Sequence, residues 1–276
     1  KTMKKTLLFL SAVLCAAYVN AQQVDLQWIG NAPSRAVGQS WGVAFAPGEV
    51  TPGQAFALTD GSGDNLPLQQ WVMARHRDGS VKWMGFASAI DPSNSQGLRL
   101  SAMPKPKKVS KKTPLPQPFA GNPIKVSENE SEITIDNGVE TFTFAKSGSS
   151  LVKSIVAGDV TVATDGRLVC TLEDRTQQEY GVLSYKDYTS SIEKVTLEKA
   201  GPVNAVVKVE GRHSNGSRAW LPFVVRFYIY QGVAPVRMVH TIIYDGDMDK
   251  DYIDGLGVRF TLPLREEIHN RHIRFA

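Results

Sequence analysis

Arg271, His272 and Arg274 fall within four residues of one another near the end of a 276-residue chain. Arginine pairs bidentately with carboxylates, and histidine exchanges a proton near neutral pH. On a strand His272 and Arg274 share a face, while Arg271 and Ile273 take the other. The grouping suits an acidic sugar, with a guanidinium neutralising its carboxylate and His272 moving a proton. Charges on an exposed strand suit it equally. A second set lies in Val236–Leu264, where Arg237, His240, Tyr244 and Arg259 stand among alternating apolar residues. His240, between Val239 and Thr241, reads first as a hydrogen-bonded core histidine and second as a base. His76 and His213 adjoin turns and are expected at the surface. Arg226, Tyr228 and Tyr230 share a strand parity, with Trp220 upstream. They could stack on sugar rings or serve ordinary sandwich packing.

No nucleophile elbow, phosphate loop, zinc motif or dinucleotide fingerprint is present. Asp245-Gly-Asp-Met-Asp-Lys-Asp251 resembles a calcium loop, because alternating carboxylates can converge on one hard cation. It lacks the glycine at the sixth position, and Leu256 stands where a bidentate acid belongs. The spacing predicts a polar hairpin turn; no cofactor is expected, calcium being the one cation the run would admit.

The elements around these residues read as strands. From Val236 to Tyr244 both alternating faces are largely apolar, which predicts a central strand buried on both sides. Val258, Phe260, Leu262 and Leu264 predict a second strand, joined to the first across the acidic turn. Upstream, short apolar runs between Gly/Pro turns recur about every ten residues, indicating a small barrel or sandwich over residues 22–103. After it, Asn137-Gly138 between Glu132–Asp136 and Glu140–Phe144 is a strong hairpin signal. Val203, Ala205, Val207 and Val209 alternate inward. Many antiparallel strands without helical periodicity predict a β-sandwich over residues 123–276. The fold class is therefore all-β.

Between the two units, residues 104–122 contain the run PKPKKVSKKTPLPQP, a stiff, self-repelling linker with almost nothing to bury. At the start, Met3-Lys-Lys, an apolar run from Thr6 to Tyr18 and small residues up to Ala21 read as a secretory signal over residues 1–21. The mature protein is then expected to be secreted or periplasmic, without a membrane span. Removing Lys1, Lys4 and Lys5, with no acid among those residues, takes the formal charge from +4 to +1. That balance offers no nucleic-acid footprint. Cys170 alone remains after cleavage, so no internal disulfide can form, and its apolar neighbours predict a buried, inert thiol. The final residues, Asn270–Ala276, read like the middle of a strand, and Lys1-Thr2 precede the first methionine. A piece of a longer protein is expected.

Four stretches together resemble the N-terminal part of the exo-rhamnogalacturonan lyase family. They are Trp41–Val50; Leu66–Gln69 with Asp78–Trp83; His240–Asp247 with Asp251–Gly257; and Asn270–Ala276. The resemblance implies a RIFT-related barrel, a central β-sandwich and a helical toroid that this chain lacks. Where the family has Trp-Pro before the Asp-Gly-Ser-Val-Lys-Trp run, Arg75-His-Arg77 stands here. The activity implied is β-elimination on rhamnogalacturonan or a related acidic rhamnose–uronate glycan. Arg271 or Arg274 would neutralise the uronate and His272 or His240 would take the proton. Arg237 and Tyr244 would contact substrate. A hydrolase on the same scaffold, needing two facing carboxylates, and a non-catalytic glycan-binding or scaffold module are the rivals.

Overall fold

The computed structural model describes residues 23–104, 122–175 and 178–271. The segment expected to be a secretory signal, most of the expected linker, and His272 and Arg274 lie outside the described residues. The chain divides into two compact units, residues 1–121 and 122–276. Among the described residues, no helix is long and apolar enough to cross a membrane.

The first unit contains β1 (Gln23–Asp25), β2 (Val37–Ala44), β3 (Phe56–Thr59), β4 (Asn65–Leu66), β5 (Gln69–Arg75), β6 (Val81–Ile90) and β7 (Arg99–Ala102). They form two antiparallel sheets, ordered β1-β7-β3-β4 and β2-β6-β5. Alternation places Phe56, Leu58, Met84, Phe86 and Leu100 in one shared core, closing the small barrel. Gly85 permits this closure, since a β-carbon there would lie inside the Trp71 indole.

The second unit contains β8 (Lys125–Glu128), β9 (Glu132–Asp136), β10 (Glu140–Ala145), β11 (Val152–Ala157), β12 (Val160–Asp174), β13 (Ser184–Ala200), β14 (Asn204–Ser214), β15 (Ala219–Tyr230), β16 (Arg237–Ile242) and β17 (Tyr252–Thr261). Neighbouring strands pair in the order β16-β15-β14-β13-β12-β11-β10-β9-β8, and β17 adds to β12. β13 carries the chain between layers. Its start, Ser184–Thr189, pairs with β12, and from Thr189 onward it pairs with β14. The two layers meet over one core. Ile133, Ile135, Phe142, Phe144 and Leu168 come from one side, and Val207, Val209, Phe223, Val225 and Phe227 from the other.

The Asn137-Gly138 turn joins β9 to β10 as the sequence predicts. Asn137 Oδ1 accepts from the amides of Val139 and Glu140, and its Nδ2 donates to the carbonyls of Tyr230 and Val233. One buried side chain thus shapes the turn and ties it to the end of β15.

Two expectations about Val236–Leu264 are overturned. β16 ends the strand order and pairs only with β15, so it is an edge strand and not a central one. The acidic stretch does not close a hairpin. β17 pairs with β12, from Thr164↔Thr261 to Glu173↔Tyr252, so the turn leads from one layer to the other. Apolar residues on both faces of Val236–Tyr244 suggested burial, but Ile242, Ile243 and Tyr244 remain exposed.

Candidate functional site

Strand parity separates the predicted residues. On β16, His240 and Met238 face inward, while Arg237 and Thr241 lie on the open side. The His240 ring sits 6.2 Å from His213 and 6.4 Å from Phe223 between ring centres. Its Nε2 is buried and has no hydrogen-bond partner. Burial, and then the neighbouring His213, lower its pKa.

His213 is not the surface residue its turn neighbourhood suggested. It is fully buried, with Nδ1 2.8 Å from the Leu221 carbonyl. That contact assigns the proton to Nδ1 and leaves Nε2 as a buried, unpartnered acceptor. Burial lowers its pKa against the opposing hydrogen bond to Leu221. The two histidines form a neutral pair closed to solvent at their Nε2 atoms.

Arg237 stacks its guanidinium over Tyr228 at 5.4 Å. The Tyr244 hydroxyl donates to the Asp247 carbonyl at 3.2 Å, and its ring packs edge-on to Trp220. Arg271 is exposed, and its Nε donates to the Glu266 carbonyl. None of these residues lines either of the two polar clefts found in this unit.

The acidic turn spends its carboxylates on the fold. Asp245 accepts from Arg212 at 2.8 Å and from the Leu221 amide at 2.7 Å. Asp251, whose side chain is 6% exposed, holds Arg218 in a bidentate pair at 2.6 and 2.7 Å. Arg218 and further hydrogen bonding hold its carboxyl below the usual range against the cost of burial. Asp247 takes Lys250 Nζ at 2.7 Å. Among the described residues, no group of three or more His, Cys, Asp or Glu is placed to hold a metal.

The two clefts lie along β12, β13 and β17, and Tyr188 borders both. One, of about 560 Å³, is lined by Glu173, Asp174, Arg175, Lys186, Arg218 and Asp251. Its charges neutralise one another: Arg175 pairs with Glu173, Lys186 with Asp174 and Arg218 with Asp251. Arg175 also lies 3.9 Å over the Tyr252 ring. The other, of about 590 Å³, is lined by Arg167, Val169, Asp187, Thr189, Asn215 and Arg259 among others. Here the charge is less fully matched. Arg167 approaches Asp165 at 3.4 Å, while Arg259 has no side-chain partner among the described residues.

This second cleft is assembled from three strands, and Arg259 on β17 lies far along the chain from Arg167 and Asp187 on β12 and β13. One local signal was available. The spacing Gly255-Leu-Gly257 puts both glycines on one strand face, and Arg259 continues it. Beneath the clefts Cys170 is fully buried, and burial followed by the Asp187 charge pushes its pKa up to about 11, as an inert thiol requires.

Two family matches run in succession along the chain. The PcRGLX-like N-terminal RIFT barrel domain matches residues 22–103, and the PcRGLX-like protein central beta sandwich domain matches residues 124–276. The chain is also 32% identical over 254 residues to "Uncharacterized protein YetA" of Bacillus subtilis (strain 168). That alignment covers 91% of this chain and 28% of the relative, so the chain spans little more than a quarter of that protein's length. With barrel and sandwich matched in order by fold and by sequence, the chain belongs to the PcRGLX-like family, the rhamnogalacturonan lyase-like group its motifs resemble.

Proposed function

We propose that this chain is the barrel-and-sandwich portion of an exported lyase that cuts rhamnogalacturonan, or a related rhamnose–uronate glycan, by β-elimination. The observation that carries the reading is the family match across both units, residues 22–103 and 124–276. β-Elimination removes the C5 proton of a uronate and expels the oxygen at C4, leaving a C4–C5 double bond. A cation neutralises the carboxylate, a base takes the proton and an acid assists the leaving oxygen. In this reading Arg271 or Arg274 is the neutralising cation and His272 the base. His240 is the weaker candidate, because its Nε2 is buried. Arg237, from the open side of β16, and the exposed Tyr244 contribute contacts to the glycan.

The test is incubation of the full-length protein with rhamnogalacturonan while near-UV absorbance is followed. Growth of the unsaturated-uronate chromophore is the expected result. Release of rhamnose-bearing products without a chromophore would identify a hydrolase and overturn the lyase. A glycan-binding module is a second reading, favoured by the self-neutralised cleft at Arg175 and Arg218, which offers ring and hydrogen-bonding surface without a free base. Retarded migration of the protein in gels containing rhamnogalacturonan, with no turnover, would select it.

A further inference from the structure

Arg167 on β12 and Arg259 on β17 are direct partners across the two strands. Antiparallel partners project to the same face with β-carbons about 5 Å apart, and like charges placed so are repulsive. A bulge in the ladder adjoins this arrangement. The β12–β17 register shifts between Thr164 and Arg167, immediately before the arginine. At that bulge Asp165 takes a left-handed φ of 52°, a conformation costly for a residue with a β-carbon. Gly166 follows, with no room for a side chain against the Phe260 ring. Bulges of this kind redirect the next side chain. Asp165 offsets Arg167 in part, at 3.4 Å, and Arg259 is left without a partner among the described residues.

The neighbouring rungs are bare on the β17 side. Val169 faces Gly257 and Thr171 faces Gly255, so β17 contributes no side chain to these two rungs. A β-carbon at Gly257 would meet nothing within 4 Å, which leaves open space over the strand. On the far side of β12, Asp187 accepts the Thr171 hydroxyl through Oδ1 at 2.7 Å and has a second acceptor oxygen to offer. Arg167, Arg259 and the Asp187 carboxylate border a cleft of about 590 Å³, together with the hydroxyl side chains of Thr189, Ser190 and Ser191. That volume lies within the range of small-ligand sites. Paired arginines grip a carboxylate through parallel hydrogen bonds, and a carboxylate acceptor suits sugar hydroxyls.

We infer that Arg167 and Arg259 form a carboxylate subsite that holds a uronate unit of an acidic saccharide, with Asp187 receiving its hydroxyls. The choice of a uronate rests on the function proposed above; the anion subsite itself rests on the facing arginine pair and the cleft that both arginines line.

The experiment is calorimetric titration of the full-length protein with digalacturonate, with its methyl ester and with a neutral galactose disaccharide. Digalacturonate is expected to bind, and the two uncharged sugars to bind at least about tenfold more weakly. Arg167→Gln and Arg259→Gln should each lose about tenfold or more in affinity. Arg259→Lys should recover part of it, and Lys125→Gln, a charge removed elsewhere on the unit, should change nothing. Removing one of two facing like charges should raise the ligand-free Tm of Arg259→Gln by about 1–3 °C. Unchanged affinity in the glutamine variants, absence of digalacturonate binding, or a lowered Tm for Arg259→Gln would overturn the subsite. The two proposals fail separately. Chromophore formation with no effect of either glutamine variant sinks the subsite alone, while arginine-dependent binding without chromophore sinks the lyase alone.

Discussion

The buried pair His213 and His240 gives acidification a direction. Both folded-state pKa values lie below the ordinary histidine value, mainly because burial opposes the charged ring. The unfolded chain therefore binds more protons than the folded one below about pH 6.5. Their contribution to stability is complete above that pH and is lost as pH falls toward the depressed folded values. Urea unfolding should show stability decreasing from pH 7 to pH 5. His213→Gln, which keeps a donor for the Leu221 carbonyl, should flatten that slope. An identical slope in the variant would contradict a neutral pair. His213 was legible from the sequence after all. The alternation of Ala205, Val207 and Val209 continues through Gly211 to His213 on the same face. Proximity to a turn misled because β14 runs on to Ser214 before turning.

At the level of elements, glycine decides where the long strands can bend. Gly211 lies beside register shifts of β14 against both β13 and β15. A β-carbon there would press on the Ser191 carbonyl oxygen and the Phe223 ring. Backbone cannot yield as a flexible side chain does, so Gly211→Ala should destabilise the protein by about 1–3 kcal/mol, the usual cost of overpacking. Thermal and denaturant unfolding would measure it, and a neutral effect would mean that the β13–β14 ladder can open at the bulge. The strands themselves were readable because alternation and turn residues are local. The Asn137-Gly138 hairpin was readable for the same reason. The partner of β17 was not, since Gly257 meets Val169 across nearly ninety residues of chain and nothing local specifies that pairing. The acidic turn looked like a hairpin because a short polar stretch between strands gives the same signal whether the next strand returns to its neighbour or crosses to the other layer.

Across the whole molecule, we propose that the N-terminal run is a leader for export. A run of Met3-Lys-Lys, apolar residues to Tyr18 and small residues to Ala21 should direct export and be removed. Protein recovered outside the cytoplasm is expected to begin at Gln22 by N-terminal sequencing. Recovery with residues 1–21 intact would refute the cleavage. The sequence made the order of barrel and sandwich visible, because each motif marks its own unit. It did not make the candidate site equally visible. His272 and Arg274 lie outside the described residues, and the arginine pair joins residues that only the β12–β17 register brings together.

That register also sets how the sandwich answers force. From Val169 to Glu173, β12 is bonded on one edge to β13 and on the other to β17. A pull on the chain can unzip β16 from its lone neighbour one bond at a time. β12, like the other strands inside the order, must shear two ladders at once, so the edge strand β16 would yield under tension before it.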